Sequence, residues 1–214
     1  MAEEGSSNSD WILVGKKKNN LFKRPMFNKN TGNLIKLNNC LDFVEVKNKW
    51  SKIEINGEPS KCCYNECINT NKPYGNCVKG NSSDKYFGVY TKNSFKKPQS
   101  CFNYSLYYFE VKCIFERELN NDKIYMNIDF NNNDIFGCGL VYPPTNKTKE
   151  FLYIFFTQNG KQIGKATLVK NNFDTYKPFV WLLCCSVEAN FGSDLKTKPL
   201  KYDISKHLVI KEFY

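Results

Sequence analysis

FLYIFFTQNGKQIGKATLV (residues 151–169), followed by YKPFVWLLCCSVEANFG (residues 176–192), decides how this chain folds. Phe151 to Thr157 is aromatic and β-branched, which suits a pleated, buried surface. Asn159-Gly160 supplies the two positive-φ positions of a tight hairpin turn, and Lys161 to Val169 returns as the second strand. Phe151, Tyr153 and Phe155 fall on one face; Leu152, Ile154 and Phe156 fall on the other. A strand apolar on both faces is covered on both sides. Gly164, inside the return strand, points to a backbone or a bulky ring close by. Pro178 lacks the ladder donor and marks a strand entrance at 176–178. Val187, Ala189 and Phe191 alternate with Glu188 and Asn190, the two-residue period of a half-buried strand, and Gly192 stops it.

Working outward, Trp11 to Gly15 reads as a short strand or an anchor to the core, and 34–55 as two or three strands ending in the Asn56-Gly57 turn signal. Strand character returns at Tyr86 to Tyr90 and at Leu106 to Phe115. Short helical turns fit only near 118–121 and 203–207. The expected organisation is a polar tail over 1–10, a β/loop extension over 11–85, a β-domain over 86–205 and a C-terminal tail over 206–214.

The chain has 214 residues, 41% of them hydrophobic and 15% aromatic, enough for a sizeable core. Its 31 Lys plus Arg against 21 Asp plus Glu give a formal charge of +10. The lysines come in ones and twos apart from Lys16-Lys17-Lys18, which falls short of a run that specifies nucleic acid. They read as a solvated surface with a general attraction to acidic partners. The N-terminus has no basic segment followed by an apolar one, and no apolar run reaches a membrane span. The sequence is thus expected to be cytoplasmic or nuclear and off the membrane, with export by another route left open. The ten cysteines are free thiols in a reducing compartment; on export they become disulfides whose pairing sequence does not give. Sequons at Asn81, Asn103 and Asn146 matter only on that second route.

The ordered motifs FFTxNGxxIGxA, YxPFV and VExNFG resemble the C-terminal half of a SPRY (B30.2-type) domain. Tyr107 to Val111 is similar to that family's early core strand, and DIFGCGL (134–140) to the strand before its hairpin. The resemblance covers roughly residues 104 to 205, and its nearest flavour is the expanded SPRY families of plant-parasitic nematodes. It implies an all-β fold: a two-layer antiparallel β-sandwich of concanavalin-like, jelly-roll type. Two departures stand out. The family carries a longer segment with a further strand pair where this chain has only Asn131 to Asn133, so the sandwich reads as shortened between 130 and 134, leaving an open edge for self-association. Trp181 occupies a position where the family has a small residue.

Candidate chemistry is sparse. Zinc takes four N or S ligands, commonly in closely spaced pairs, and Cys62, Cys63, Cys67 and Cys77 only approach that spacing. A cysteine nucleophile at Cys184 or Cys185 would need the single histidine, His207, as its base. Glu110 and Glu188 are the strand carboxylates to weigh for glycoside hydrolysis, and they read as solvated outer-face residues. Tyr104, Tyr107 and Tyr108 beside Lys112 are the nearest thing to a stacking platform for single-stranded nucleic acid. No cofactor fingerprint appears.

The resemblance therefore implies a non-catalytic module that grips a partner polypeptide with loops at one end of a rigid sandwich, as a nematode effector or a Ran-binding-type scaffold. The candidate loops are 143–150, with Pro143, Pro144, Asn146, Lys147 and Glu150, and 182–186, with Leu183, Cys184 and Cys185. The alternative is a carbohydrate-binding, lectin-like module on the same architecture. A further one is a shortened paralogue that folds poorly.

Overall fold

The computed structural model describes residues 11–14, 40–55, 58–60, 77–78, 87–115, 131–147, 149–169, 173–182 and 185–210. Its strands are β1 (Trp11–Val14), β2 (Leu41–Phe43), β3 (Trp50–Ile55), β4 (Glu58–Ser60), β5 (Cys77–Val78), β6 (Phe87–Thr91) and β7 (Phe95–Lys96). They continue as β8 (Tyr104–Phe115), β9 (Ile135–Tyr142), β10 (Tyr153–Gln158), β11 (Lys161–Leu168), β12 (Thr175–Leu182) and β13 (Cys185–Asn190). One sheet runs β1-β12-β6-β3-β4, with β7 also on β12; the other runs β11-β10-β9-β8-β13-β5, with β2 parallel on β8. The fold is an all-β sandwich. The strands expected as an N-terminal extension contribute to both sheets: β1, β3 and β4 to the first, β2 and β5 to the second.

The two sheets meet ring on ring. Trp50 and Phe95 of the first sheet contact Phe191 and Tyr107 on the side of the second, at 5.2 and 4.9 Å between centroids. Val89, Tyr176 and Val180 join Phe109, Val111, Cys138, Leu140 and Val187 in the same buried cluster. Each such side chain, once fully buried, contributes roughly 1.5–3 kcal/mol. The alternation at Val187, Ala189 and Phe191 faces this core as expected, with Glu188 and Asn190 half-buried.

The outer face of the second sheet is covered as well. Residues 195–210 pass over it, and Leu200, Tyr202, Ile204, Val209 and Ile210 pack with Tyr104, Leu106, Tyr108, Tyr153 and Phe155. His207 and Val209, expected in a C-terminal tail, are buried. A helical turn does form nearby, as a 3-10 turn over Ile204–Lys206 that Asp203 caps. This second layer is why β10 is apolar on both faces. It also explains the glycines of FGCGL. A Cβ on Gly137 would sit 1.9 Å from the Tyr108 hydroxyl, and one on Gly139 would sit 2.1 Å from the Phe155 ring. Both rings lie flat across β9, so the strand beneath them has no room for a side chain.

The hairpin forms as read: Asn159 and Gly160 take φ of 51° and 80°. Asp134 pins it, accepting from Asn159 Nδ2 at 2.8 Å, Gln158 Nε2 at 2.9 Å and Asn131 N at 2.9 Å. Those bonds hold the Asp134 carboxyl below the usual range although its burial pushes the other way. Two expectations are corrected. Gly164 has nothing within 4 Å of an added Cβ; its φ of 66° is what requires glycine. Ile154 pairs with Thr167 and Phe156 with Ile163, so β11 bulges there, and Gly164 makes the bulge. Pro178 is not a strand entrance but sits inside β12. It falls between the pairing of Tyr176 with Phe95 and that of Phe179 with Tyr90, where β12 passes from β7 to β6. Trp181 is half-buried against Phe179, with ring centroids 6.5 Å apart.

Candidate functional site

Ser105 pairs with Tyr142, and Tyr153 with Val141, so the segment before β8 and the segment joining β9 to β10 leave the same end of the sandwich. Thr145 fastens the two. Its N–H and its hydroxyl each donate to Cys101 O at 3.0 Å, and Cys101 N donates back to the hydroxyl at 3.3 Å. Within the longer loop, Lys147 N donates to Pro144 O at 2.9 Å and Glu150 N to Lys147 O at 3.2 Å, folding it into successive turns.

A polar latch holds the loop onto β8. The Tyr104 hydroxyl donates to Glu150 Oε2 at 2.7 Å. Lys147 Nζ donates to Glu150 Oε1 at 2.8 Å and to the Tyr104 hydroxyl at 3.1 Å, and it lies 5.2 Å from the centroid of that ring. Burial first, then the bond to Glu150, raises the Tyr104 phenol above its ordinary range. The bond to Glu150, then that to Tyr104, raises Lys147. Beside the latch, Asn103 Nδ2 donates to the Asp42 carboxylate at 3.2 Å.

On this tethered frame stand Phe102, 87% exposed, and Phe151, 46% exposed. They are the two large hydrophobic side chains exposed among the described residues. Loops rigidly mounted on a sandwich, with rings turned to solvent, are suited to reading a partner.

The sequence-derived residues divide unevenly. Asn146 and Lys147 are exposed on this loop, Pro143 and Glu150 are half-buried, and Pro144 is buried and serves as frame. Leu183 and Cys184 lie outside the described residues. Cys185 opens β13 and pairs with Phe115, so it is a strand residue rather than part of a loop. Phe115 and Tyr104 bound β8, and its 12 residues put Cys185 roughly 35 Å from the end that carries 143–147. Cys185 shares no site with that loop. Phe102 escaped the sequence reading because a lone ring beside a polar run looks the same whether it turns in or out; Phe151, expected in the buried strand, instead precedes β10 and is exposed.

The other candidates are also placed. Tyr104, Tyr107 and Tyr108 are buried, Tyr107 between the sheets and the other two beneath residues 195–210, so they form no open platform. Glu110 is buried rather than solvated. It accepts from Lys201 N and Tyr202 N at 2.8 Å each and from the Tyr108 hydroxyl at 3.0 Å, which fixes the C-terminal segment in place. Glu188 pairs with Lys198 at the surface. His207 lies between Tyr153 and Tyr202, bonded to their hydroxyls at 3.0 and 2.8 Å, and stacks on Phe155 at 4.3 Å. Burial lowers its pKa to about 4. It acts as an anchor for the covering layer. Cys40, Cys101 and Cys138 are free thiols, while Cys62, Cys63 and Cys67 lie outside the described residues. Among the described residues, no group of three or more His, Cys, Asp or Glu is placed to hold a metal, and no helix is long and apolar enough to cross a membrane. No protein-family model matches this chain. No curated protein matches it.

Proposed function

We propose that this protein is a non-catalytic interaction module that grips a partner polypeptide at the end of the sandwich bearing 97–103 and 143–151. The observation that carries the reading is the pair of exposed rings, Phe102 and Phe151, flanking a loop that is itself tied down by Cys101, Thr145, Tyr104 and Glu150. These tethers restrain the loop before binding, which lowers the conformational entropy lost when a partner docks. Aromatic anchors on such a frame supply most of the binding energy in protein interfaces. Asn146, Lys147 and Lys149 provide the polar rim.

The SPRY-like order of FGCGL, the Asn-Gly hairpin and VEANFG supports the finer reading of a SPRY-type module, acting as a nematode effector or a Ran-binding-type scaffold. The test is affinity capture from candidate tissues with the wild type, a Phe102→Ser/Phe151→Ser variant and a chain whose residues 143–150 are replaced by Gly and Ser. Both variants should lose the captured protein at least tenfold. Undiminished capture by both would refute the assignment. A glycan-array signal lost in the same two variants would convert the site to a lectin.

A further inference from the structure

On a different part of the molecule, Lys47, Asn48, Lys49, Lys92, Asn93 and Ser193 line an open concavity of about 410 Å³. We infer that it is a binding site for a phosphate monoester dianion. Three features point there. The first is charge: Lys47, Lys49 and Lys92 all line one hollow, and among the described residues no carboxylate pairs with any of them. All three border a hollow that Ser193 also lines.

The second feature is rigidity. Asn48 and Asn93 clamp the two lysine-bearing segments to each other. Asn48 Nδ2 donates to Asn93 O at 2.8 Å, Asn93 N donates to Asn48 Oδ1 at 2.9 Å, and Asn93 Nδ2 donates to Lys47 O at 2.7 Å. Lys92 N adds a bond to Lys49 O at 2.8 Å. The backbone beneath all three lysines is thus fixed before any ligand arrives, which lowers the ordering cost of binding.

The third is the lining chemistry. Lysine is a compact point charge suited to phosphate, and the serine hydroxyl adds a donor. Among the described residues no aromatic ring lines the hollow, so they offer no stacking surface for a base, which single-stranded nucleic-acid sites use. The volume falls at the lower end of ligand pockets, large enough for a phosphorylated side chain or a small phosphate ester. A doubly charged monoester matches three cations better than a singly charged diester does.

The experiment is isothermal titration of the full chain at low salt with inorganic phosphate, a phosphoserine peptide and the same peptide unphosphorylated. The variants are Lys47→Gln/Lys49→Gln/Lys92→Gln and a control of equal charge change, Lys161→Gln/Lys165→Gln/Lys201→Gln. Both phosphate sources should bind the wild type and the control, and the first variant should bind at least tenfold more weakly. The unphosphorylated peptide should not bind. Tighter binding of the phosphopeptide than of inorganic phosphate identifies a polypeptide source; equal binding identifies a free one. Affinity for the phosphoserine peptide should fall between pH 7.5 and 5.5, as its phosphate loses its second charge near pH 6. Equal losses in the two variants, no heat from either phosphate source, or tighter binding of an RNA oligonucleotide through the same lysines would overturn the inference.

Discussion

The two faces of the β8–β9–β10 ribbon are built on opposite plans. The inner face is rings and aliphatics against the other sheet; Phe109, Leu140 and Leu152 meet Trp50, Val89 and Phe95 there. The outer face, equally buried, is threaded with polar groups. The Tyr108 hydroxyl joins Thr157 Oγ1 at 2.7 Å and Glu110 at 3.0 Å, and His207 joins Tyr153 and Tyr202. Apolar packing is non-directional and accepts volume-conserving swaps. A buried polar network accepts one arrangement and is costly when half satisfied. The inner face therefore makes the chain a sandwich, and the outer face fixes where residues 195–210 lie.

That contrast predicts a pH response centred on the histidine of the outer face, and it is the largest effect expected. The folded pKa of His207, about 4, lies below its ordinary 6.5. The neutral imidazole is the form the fold prefers, so its contribution is complete above about pH 6.5. It falls progressively below that and is gone below about pH 4. The difference corresponds to about 3 kcal/mol. Urea midpoints at pH 7 and pH 4 should show this drop in the wild type and a much smaller one in His207→Gln. An equal drop in both would mean that the outer layer does not depend on the neutral histidine.

Next in size is Gly139→Ala, whose methyl group would overlap the Phe155 ring. We expect a loss of about 2–3 kcal/mol in chemical denaturation. Combining it with Phe155→Leu should cost less than the sum of the two single changes; strict additivity would show that the ring does not press on β9. Smallest is a gain on the inner face. The Tyr142 hydroxyl is buried and has no hydrogen-bond partner among the described residues. Tyr142→Phe should raise stability by about 1 kcal/mol. A loss instead would show that the inner face also depends on a polar contact.

The inner face was legible in the sequence, and so was the need for a cover over the outer one, since 151–157 is apolar on both faces; which residues supply that cover was not. Asn159-Gly160 and the alternation at 187–191 are local signals whose period matches the strand. In residues 195–210, Leu200, Tyr202 and Ile204 alternate with Lys201, Asp203 and Ser205, which marks one apolar side but not the sheet face it covers. The same holds for Gly164, where a bulge and a crowded strand give the same letter. At the candidate site, the loop 143–150 was visible from its prolines and polar residues. Its rings were not, because the direction of Phe102 is set by the bond between Cys101 and Thr145, 44 residues apart. Cys185 misled because the apolar run gave no sign that a strand, β13, opens there.

The account rests on the partner meeting the ring-bearing end. A photo-reactive benzophenone side chain in place of Phe102, compared with one in place of Ile163 on edge strand β11, tests that directly. Irradiation in the presence of the captured partner should give a covalent adduct from position 102 and none from position 163. An adduct from 163 alone would place the contact along the sheet edge and contradict the account.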